Sequence, residues 1–251
     1  MSNMKDIQEL PDIKALVYGE PKTGKSTFAS TFPEPGYIFL LEPDKSQFAM
    51  KNFDYDSYDA KDLQVFDKLL DKIDELQAIP ANEFPYKTII VDSLTEYADI
   101  CERRILKINK REPDPKYNKP YDDRSQGMRI QDWGTFKGML ENFVRNIQAL
   151  PCNTIMTAHE YVKETGDNNV LKGCLSIAGN FGETGSRLFN TVLRSRAETK
   201  GGKTTYYMQT KPEKLFTAGV WGHSLDVHWE DASYNRLAKS FTDWAKKQNT
   251  K

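Results

Sequence analysis

Short apolar runs bounded by glycine and proline alternate along this chain with longer stretches of three- and four-residue spacing. Ile13 to Tyr18 (IKALVY) is apolar and ends at Gly19, the pattern of a strand buried on both faces. The following GKSTFAS predicts the start of a helix, which Pro33, Pro35 and Gly36 stop. Gly36 to Glu42 (GYIFLLE) and Lys87 to Asp92 (KTIIVD) predict two further buried strands, the second rich in β-branched residues. Between them Leu63, Phe66, Leu69, Leu70, Ile73 and Leu76 recur three and four apart, which predicts an amphipathic helix over 62–79 ending before Pro80. A helix follows the third strand to about Lys110, and the spacing returns from Trp133 to Leu150 through Phe136, Leu140, Phe143, Val144 and Ile147. Asn153 to Ala158 (NTIMTA) predicts a fourth strand.

Two stretches break the alternation. Glu112 to Asp132 holds three prolines, several tyrosines and many charges, and reads as a long loop. Glu160 to Arg187 is rich in glycine, asparagine and threonine and reads as another. Thr191 to Thr199 and Thr204 to Thr210 then alternate as strands, with Gly201-Gly202 marking a hairpin between them. Glu230 to Gln248 predicts a terminal helix with Leu237, Phe241 and Trp244 on one face. Strand and helix in alternation predict an α/β fold: a mostly parallel sheet flanked by helices on both faces, with an antiparallel hairpin added at one edge. The 251 residues suit one such domain, with a core over about 13–221 and a C-terminal helix over about 230–248.

Charge changes the picture locally. The net charge of -1 excludes a uniformly basic nucleic-acid coat. Glu42 to Glu75 nevertheless carries ten acids against five lysines, Arg103 to Arg129 nine basic residues against four acids, and Arg194 to Lys214 six against two. Any one run reads as a solvated face; two basic runs flanking one predicted site are a more pointed arrangement. Cys101, Cys152 and Cys174 are odd in number and far apart, with no CxxC and no His/Cys cluster, so neither a disulfide framework nor a zinc site is expected. The N-terminal residues are polar, and no apolar run approaches the roughly 20 residues of a membrane helix, so a cytoplasmic protein without membrane contact is expected.

The chemistry concentrates after the first strand. Gly19-Glu20-Pro21-Lys22-Thr23-Gly24-Lys25-Ser26, followed by Thr27, matches GxxxxGK[ST] in full, between a strand and a helix as that motif requires. Gly19 and Gly24 let consecutive amides turn inward on an anion, Lys25 brings a charge to the β and γ phosphates, and Ser26 offers a hydroxyl to Mg2+. The start of the helix adds its dipole. Ile89-Ile90-Val91-Asp92 is a buried strand ending in an acid, where a carboxylate reaches the magnesium shell beside Ser26. Parallel strand ends of one sense line one crevice. Glu42, with Asp44 competing, is placed there to polarise water or is a plain surface acid. His159 ends the fourth strand as a γ-phosphate sensor or as an ordinary loop histidine. Lys116, Tyr117, Lys119, Tyr121, Arg124 and Arg129 interleave charge and rings as single-strand binders do, diluted by Asp114, Asp122 and Asp123; a solvated loop has the same composition. Trp133 at a helix start reads as a core anchor.

VYGEPKTGKST, YKTIIVDSLTE, the helix start Asp132-Trp133-Gly134 and TIMTAHE, in this order, resemble the RecA-type ATPase core, from about Ile13 to about Trp221. More narrowly they are similar to phage-encoded RecA-core proteins of the single-strand annealing kind. The resemblance implies ATP and Mg2+ as ligands, Glu42 as catalytic glutamate, and His159 where the family couples nucleotide to DNA. It implies DNA-binding loops at 160–187 and around 116–129, and basic fingers Arg194, Arg196 and Lys211 that reach a neighbour's γ phosphate. It also implies single-stranded DNA as partner, a homo-oligomer with ATP at subunit interfaces, a single-strand-binding or other replication protein as associate, and a host-cell cytoplasm as location. The chain departs from the pattern at Leu40, where an acid is often found, and in candidate loops that are not strongly basic. Two other readings stand beside this one: a nucleotide-switched binding module with little turnover, and a small-molecule kinase, which lacks an Arg-rich lid here.

Overall fold

The first apolar run becomes β1 (Lys14–Gly19), whose residues from Ala15 onward are buried. The structure is a computed structural model that describes residues 12–62, 64–109, 128–165, 170–213, 216–220 and 225–249. β2 (Gly36–Leu40) and β4 (Thr88–Asp92) are buried at every position, as strands covered on both faces must be. With β3 (Phe53–Ser57), β5 (Asn153–Thr165), β7 (Thr191–Lys200), β8 (Lys203–Gln209) and β9 (His228–Glu230) they form a sheet in the order β3-β2-β4-β5-β1-β7-β8-β9. Pairing is parallel from β3 through β7 and antiparallel through β8 and β9. The parallel core and the antiparallel edge hairpin are those expected from the alternation of apolar runs and helical spacing.

Alternation along β1 divides the core in two. Leu16 and Tyr18 face α2 (Val65–Gln77), α3 (Leu94–Ile108) and α4 (Asp132–Gln148), which deliver Leu69, Ile73, Leu140 and Phe143. Tyr97 of α3 stacks on Phe143 of α4 at 3.7 Å between ring centres. Ala15 and Val17 face the other side, where α1 (Lys25–Ala29) and α6 (Tyr234–Asn249) bring Phe28, Leu237 and Phe241, with Trp229 of β9 between them. Trp133 packs against the first core, edge-on to Phe136 at 5.8 Å, as an anchor.

Four elements differ from expectation. Residues 160–187 are not one loop: β5 runs on to Thr165 and β6 (Val170–Leu175) returns beside it, pairing Glu160 with Leu175, before α5 (Phe181–Thr184). The turn chemistry of Gly166 to Asn169 and the later Gly179 masks β-forming stretches on either side. β3 escapes the apolar pattern because it is an edge strand, with Asp54 and Asp56 on a solvent-facing surface. β9 is only three residues long. The helix after the phosphate-loop motif is five residues, so its dipole contributes less than a full helix would and the loop amides carry more of the anion field. The basic and aromatic residues from Lys116 to Arg124 lie outside the described residues.

Leu140 is fully buried between α4 and the sheet. Leu140→Ala is expected to cost about 2–5 kcal/mol in urea unfolding; a loss below about 1 kcal/mol would contradict this packing.

Candidate functional site

Register brings the functional strand ends to one line. Gly19 at the end of β1 pairs with His159 of β5 on one side and Ser195 of β7 on the other. Leu40 of β2 pairs with Asp92 of β4, and the Glu42 amide donates to the Asp92 carbonyl at 3.0 Å. The phosphate-loop motif, Asp92, Glu42 and His159 therefore meet at the carboxyl edge of the parallel sheet, where such folds bind ligands.

The loop is pinned from several sides. Thr23 Oγ1 donates to the Glu20 carbonyl at 2.8 Å, and Ser195 Oγ donates to the Thr23 carbonyl at 2.6 Å. A side chain at Gly19 would overlap the Ser195 carbonyl, so close approach to β7 demands glycine there. Gly24 has φ 96° and Lys22 φ 62°, left-handed backbone of the kind from which anion-binding concavities are built. Lys25 is 7% exposed; its Nζ donates to the carbonyls of Gly19 at 3.2 Å and Glu20 at 2.8 Å. Burial lowers its pKa, while the negative charges of Glu42 and Asp92 oppose that shift. Glu20, Pro21, Lys22 and Thr27 are exposed around the loop, and Thr27 Oγ1 donates to Gln47 Oε1 at 2.9 Å.

Asp92 is 2% exposed and accepts two hydroxyls: Ser26 Oγ at 2.9 Å on Oδ2, and Thr157 Oγ1 on Oδ1. Burial pushes its carboxyl pKa up; the Glu42 charge adds to that, and the two hydroxyls and Lys25 pull the other way. The hydroxyl and carboxylate beside a lysine are hard oxygen donors of the kind that suit Mg2+, which binds through one or two carboxylates and keeps several waters. The peptide bond after Asp92 is cis.

His159 Nε2 lies 3.1 Å from Glu42 Oε1, a close polar contact rather than an aligned hydrogen bond, since Oε1 and His159 Nδ1 are buried without a hydrogen-bond partner. The histidine is the main cause that holds the Glu42 carboxyl below its usual range, against the opposing effect of burial. The His159 amide donates to Thr95 Oγ1 at 2.9 Å, tying β5 to the start of α3. Asp44 is exposed and accepts the Ser46 amide at 2.9 Å, which leaves Glu42 as the acid facing Lys25 and Asp92.

The basic residues of β7 and beyond are placed less uniformly. Arg194 is 8% exposed and forked onto Glu160, Nε to Oε2 at 2.6 Å and Nη2 to Oε1 at 2.7 Å, with its guanidinium 3.3 Å above the Phe216 ring. It is held inside its own chain. Arg196 is half-buried, 3.8 Å from Glu198 and 3.9 Å from Glu213, and Lys211 is exposed. The pattern of residues gave no sign of Ser195 or Tyr206. Thr157 carried only a weak signal, a hydroxyl following the apolar pair Ile155-Met156. The crevice is a cleft of about 700 Å³ that runs from Glu42 and His159 along the loop to Thr31 and Ala232. Among the described residues no group of three or more His, Cys, Asp or Glu side chains is placed to hold a metal, and no helix is long and apolar enough to cross a membrane.

A family model described as an AAA domain matches residues 12–219, from β1 through β8, and ends before Asp231 and Ala232 at the far end of the cleft. No curated protein matches the chain.

Because the native pKa of Asp92 is raised, between the unfolded and native pKa values the folded protein holds a proton that the unfolded chain has already released. The stabilisation this gives is present below the ordinary aspartate range of about 3.9 and is lost as pH rises through the native value. Ionised Asp92 therefore costs stability. Asp92→Asn without nucleotide is expected to melt higher than wild type at about pH 7, with the margin closing toward about pH 4, in thermal unfolding across that range. A lower melting temperature for the variant at neutral pH would contradict this.

Proposed function

The chain belongs to the AAA domain family of nucleotide-binding ATPases, and we propose that it is an ATP-hydrolysing protein of RecA type that acts on single-stranded DNA in phage recombination or replication. The observation that carries the nucleotide half is the Ser26–Asp92 pair, 2.9 Å apart, beside buried Lys25 and opposite Glu42. Lys25, now spent on two loop carbonyls, would exchange them for terminal phosphate oxygens. Ser26 and Asp92 would hold Mg2+, which when bound supplies charge neutralisation at the phosphates. Glu42 is ionised at neutral pH as an ordinary glutamate is, burial being offset by His159, and can accept from the attacking water.

The DNA half rests on connection and surface chemistry. His159, at the γ-phosphate end, continues through β5 into the β5–β6 hairpin, where Tyr161 is 46% exposed. That exposed ring, and the exposed Lys200 and Lys203 at the tip of the β7–β8 hairpin, are side-chain types used in sequence-tolerant single-strand binding. Nucleotide at a subunit interface, completed by Arg196 or Lys211 of a neighbouring copy, belongs to the same proposal, as does a single-strand-binding or other replication protein as associate. Arg194 serves it less well, because the Glu160 fork already neutralises it.

A second reading, a nucleotide-switched binding module with little turnover, draws on the Glu42–His159 contact, which occupies the acid that would orient water. ATPase rates with and without single-stranded DNA separate the two. The wild type is expected to hydrolyse ATP faster with DNA, and Lys25→Ala to lose about a hundredfold or more. ATP binding with no hydrolysis in either condition would contradict the ATPase and leave the switch.

A further inference from the structure

The crevice is longer than a triphosphate needs. Beyond the phosphate loop it continues between the end of α1 and the start of α6 to Thr31, Asp231 and Ala232. That extension is the right place for the rest of a nucleotide, and one residue above it has no structural task.

Along β8, alternate side chains point to opposite faces. Met208 points toward α1 and is buried in the second core with Trp229. Tyr206, two residues nearer the hairpin turn, points the same way but stands past the covered part of the sheet and is 53% exposed. A Cβ on Gly24 would lie 4.0 Å from its ring, so the ring hangs over the last glycine of the phosphate loop. Opposite it on β7 is Ala197, which adds no bulk. The other rings lining the cleft are committed: Phe28 sits edge-on to Phe32 and Trp229, and Tyr207 donates to Glu198 at 2.6 Å. Tyr206 has no hydrogen bond, ion pair or ring partner among the described residues. A large flat apolar surface left in water beside an anion-binding loop gains most from a flat ligand whose phosphates are already held there.

We propose that Tyr206 is the stacking platform for the nucleobase of the bound nucleoside triphosphate. This rests on the nucleotide-binding reading above and adds to it the residue that makes a nucleoside triphosphate bind better than bare polyphosphate. A stack reads the face of a base and not its hydrogen-bonding edge, so it favours purine nucleotides without telling ATP from GTP.

Titration calorimetry of Mg-ATP, Mg-GTP and tripolyphosphate on wild type, Tyr206→Phe and Tyr206→Ala tests it, with sedimentation alongside. The alanine variant is expected to lose about tenfold in affinity for both nucleotides and to keep tripolyphosphate within about twofold. The phenylalanine variant is expected to bind all three as wild type does. Unchanged nucleotide affinity in the alanine variant overturns the proposal while leaving the phosphate loop intact. Equal loss of tripolyphosphate, or a loss that accompanies a changed oligomeric state, overturns it in favour of loop support or a contact between copies. Wild type that takes up neither nucleotide nor tripolyphosphate overturns the nucleotide reading and this proposal together.

Discussion

A buried carboxylate with two hydroxyls turned toward it organises this molecule. Asp92 ends one strand, Thr157 stands on the next, and Ser26 opens the helix after the phosphate loop, so the two hydrogen bonds to Asp92 join three segments distant in sequence. β5 lies between β1 and β4 in the sheet and supplies the intermediate contact. An acid so buried is poorly solvated, and the fold tolerates it because hydroxyl donors and the Lys25 ammonium partly offset the lost water. A divalent cation and a triphosphate would complete the compensation, which is why a site of this kind is stable enough to persist and polar enough to bind.

Around that centre the charges are balanced in opposed pairs. Lys25 feels Glu42, Asp92, Glu160 and Glu20, and Glu160 is itself clamped by Arg194. The Arg194 fork lies one residue beyond His159, so the same stretch of β5 contacts Glu42 at the crevice and the ion pair at the foot of the β5–β6 hairpin. Removing either partner of that buried pair would strand the other, an arrangement that fixes where the hairpin leaves the sheet.

Much of this was legible in the residues. The loop motif, the apolar strand ending in Asp92, and the gathering of Glu42 and His159 at the sheet edge were readable, although β2 stops at Leu40 and β5 runs on past His159. The β5–β6 hairpin was not, since glycine, aspartate and asparagine at its centre dominate the local signal over the β-forming Tyr161 and Val162. β3 was hidden by its acids, which an edge strand tolerates. The state of Arg194 depends on Glu160 and Phe216, both distant along the chain, and no spacing rule reports such a pairing. Tyr206 and Tyr207 are adjacent letters with opposite fates, one exposed over the phosphate loop and one buried and bonded to Glu198, which only the register of β8 decides.

The central claim is that Ser26 and Asp92 jointly seat a magnesium-bound nucleotide. The direct measurement is ATP affinity as a function of Mg2+ concentration for wild type and for Ser26→Ala. Mg2+ is expected to tighten ATP binding in wild type, and this gain is expected to be largely lost in the variant. ATP affinity that ignores Mg2+ in both proteins, or no ATP uptake at any Mg2+ concentration, would contradict it.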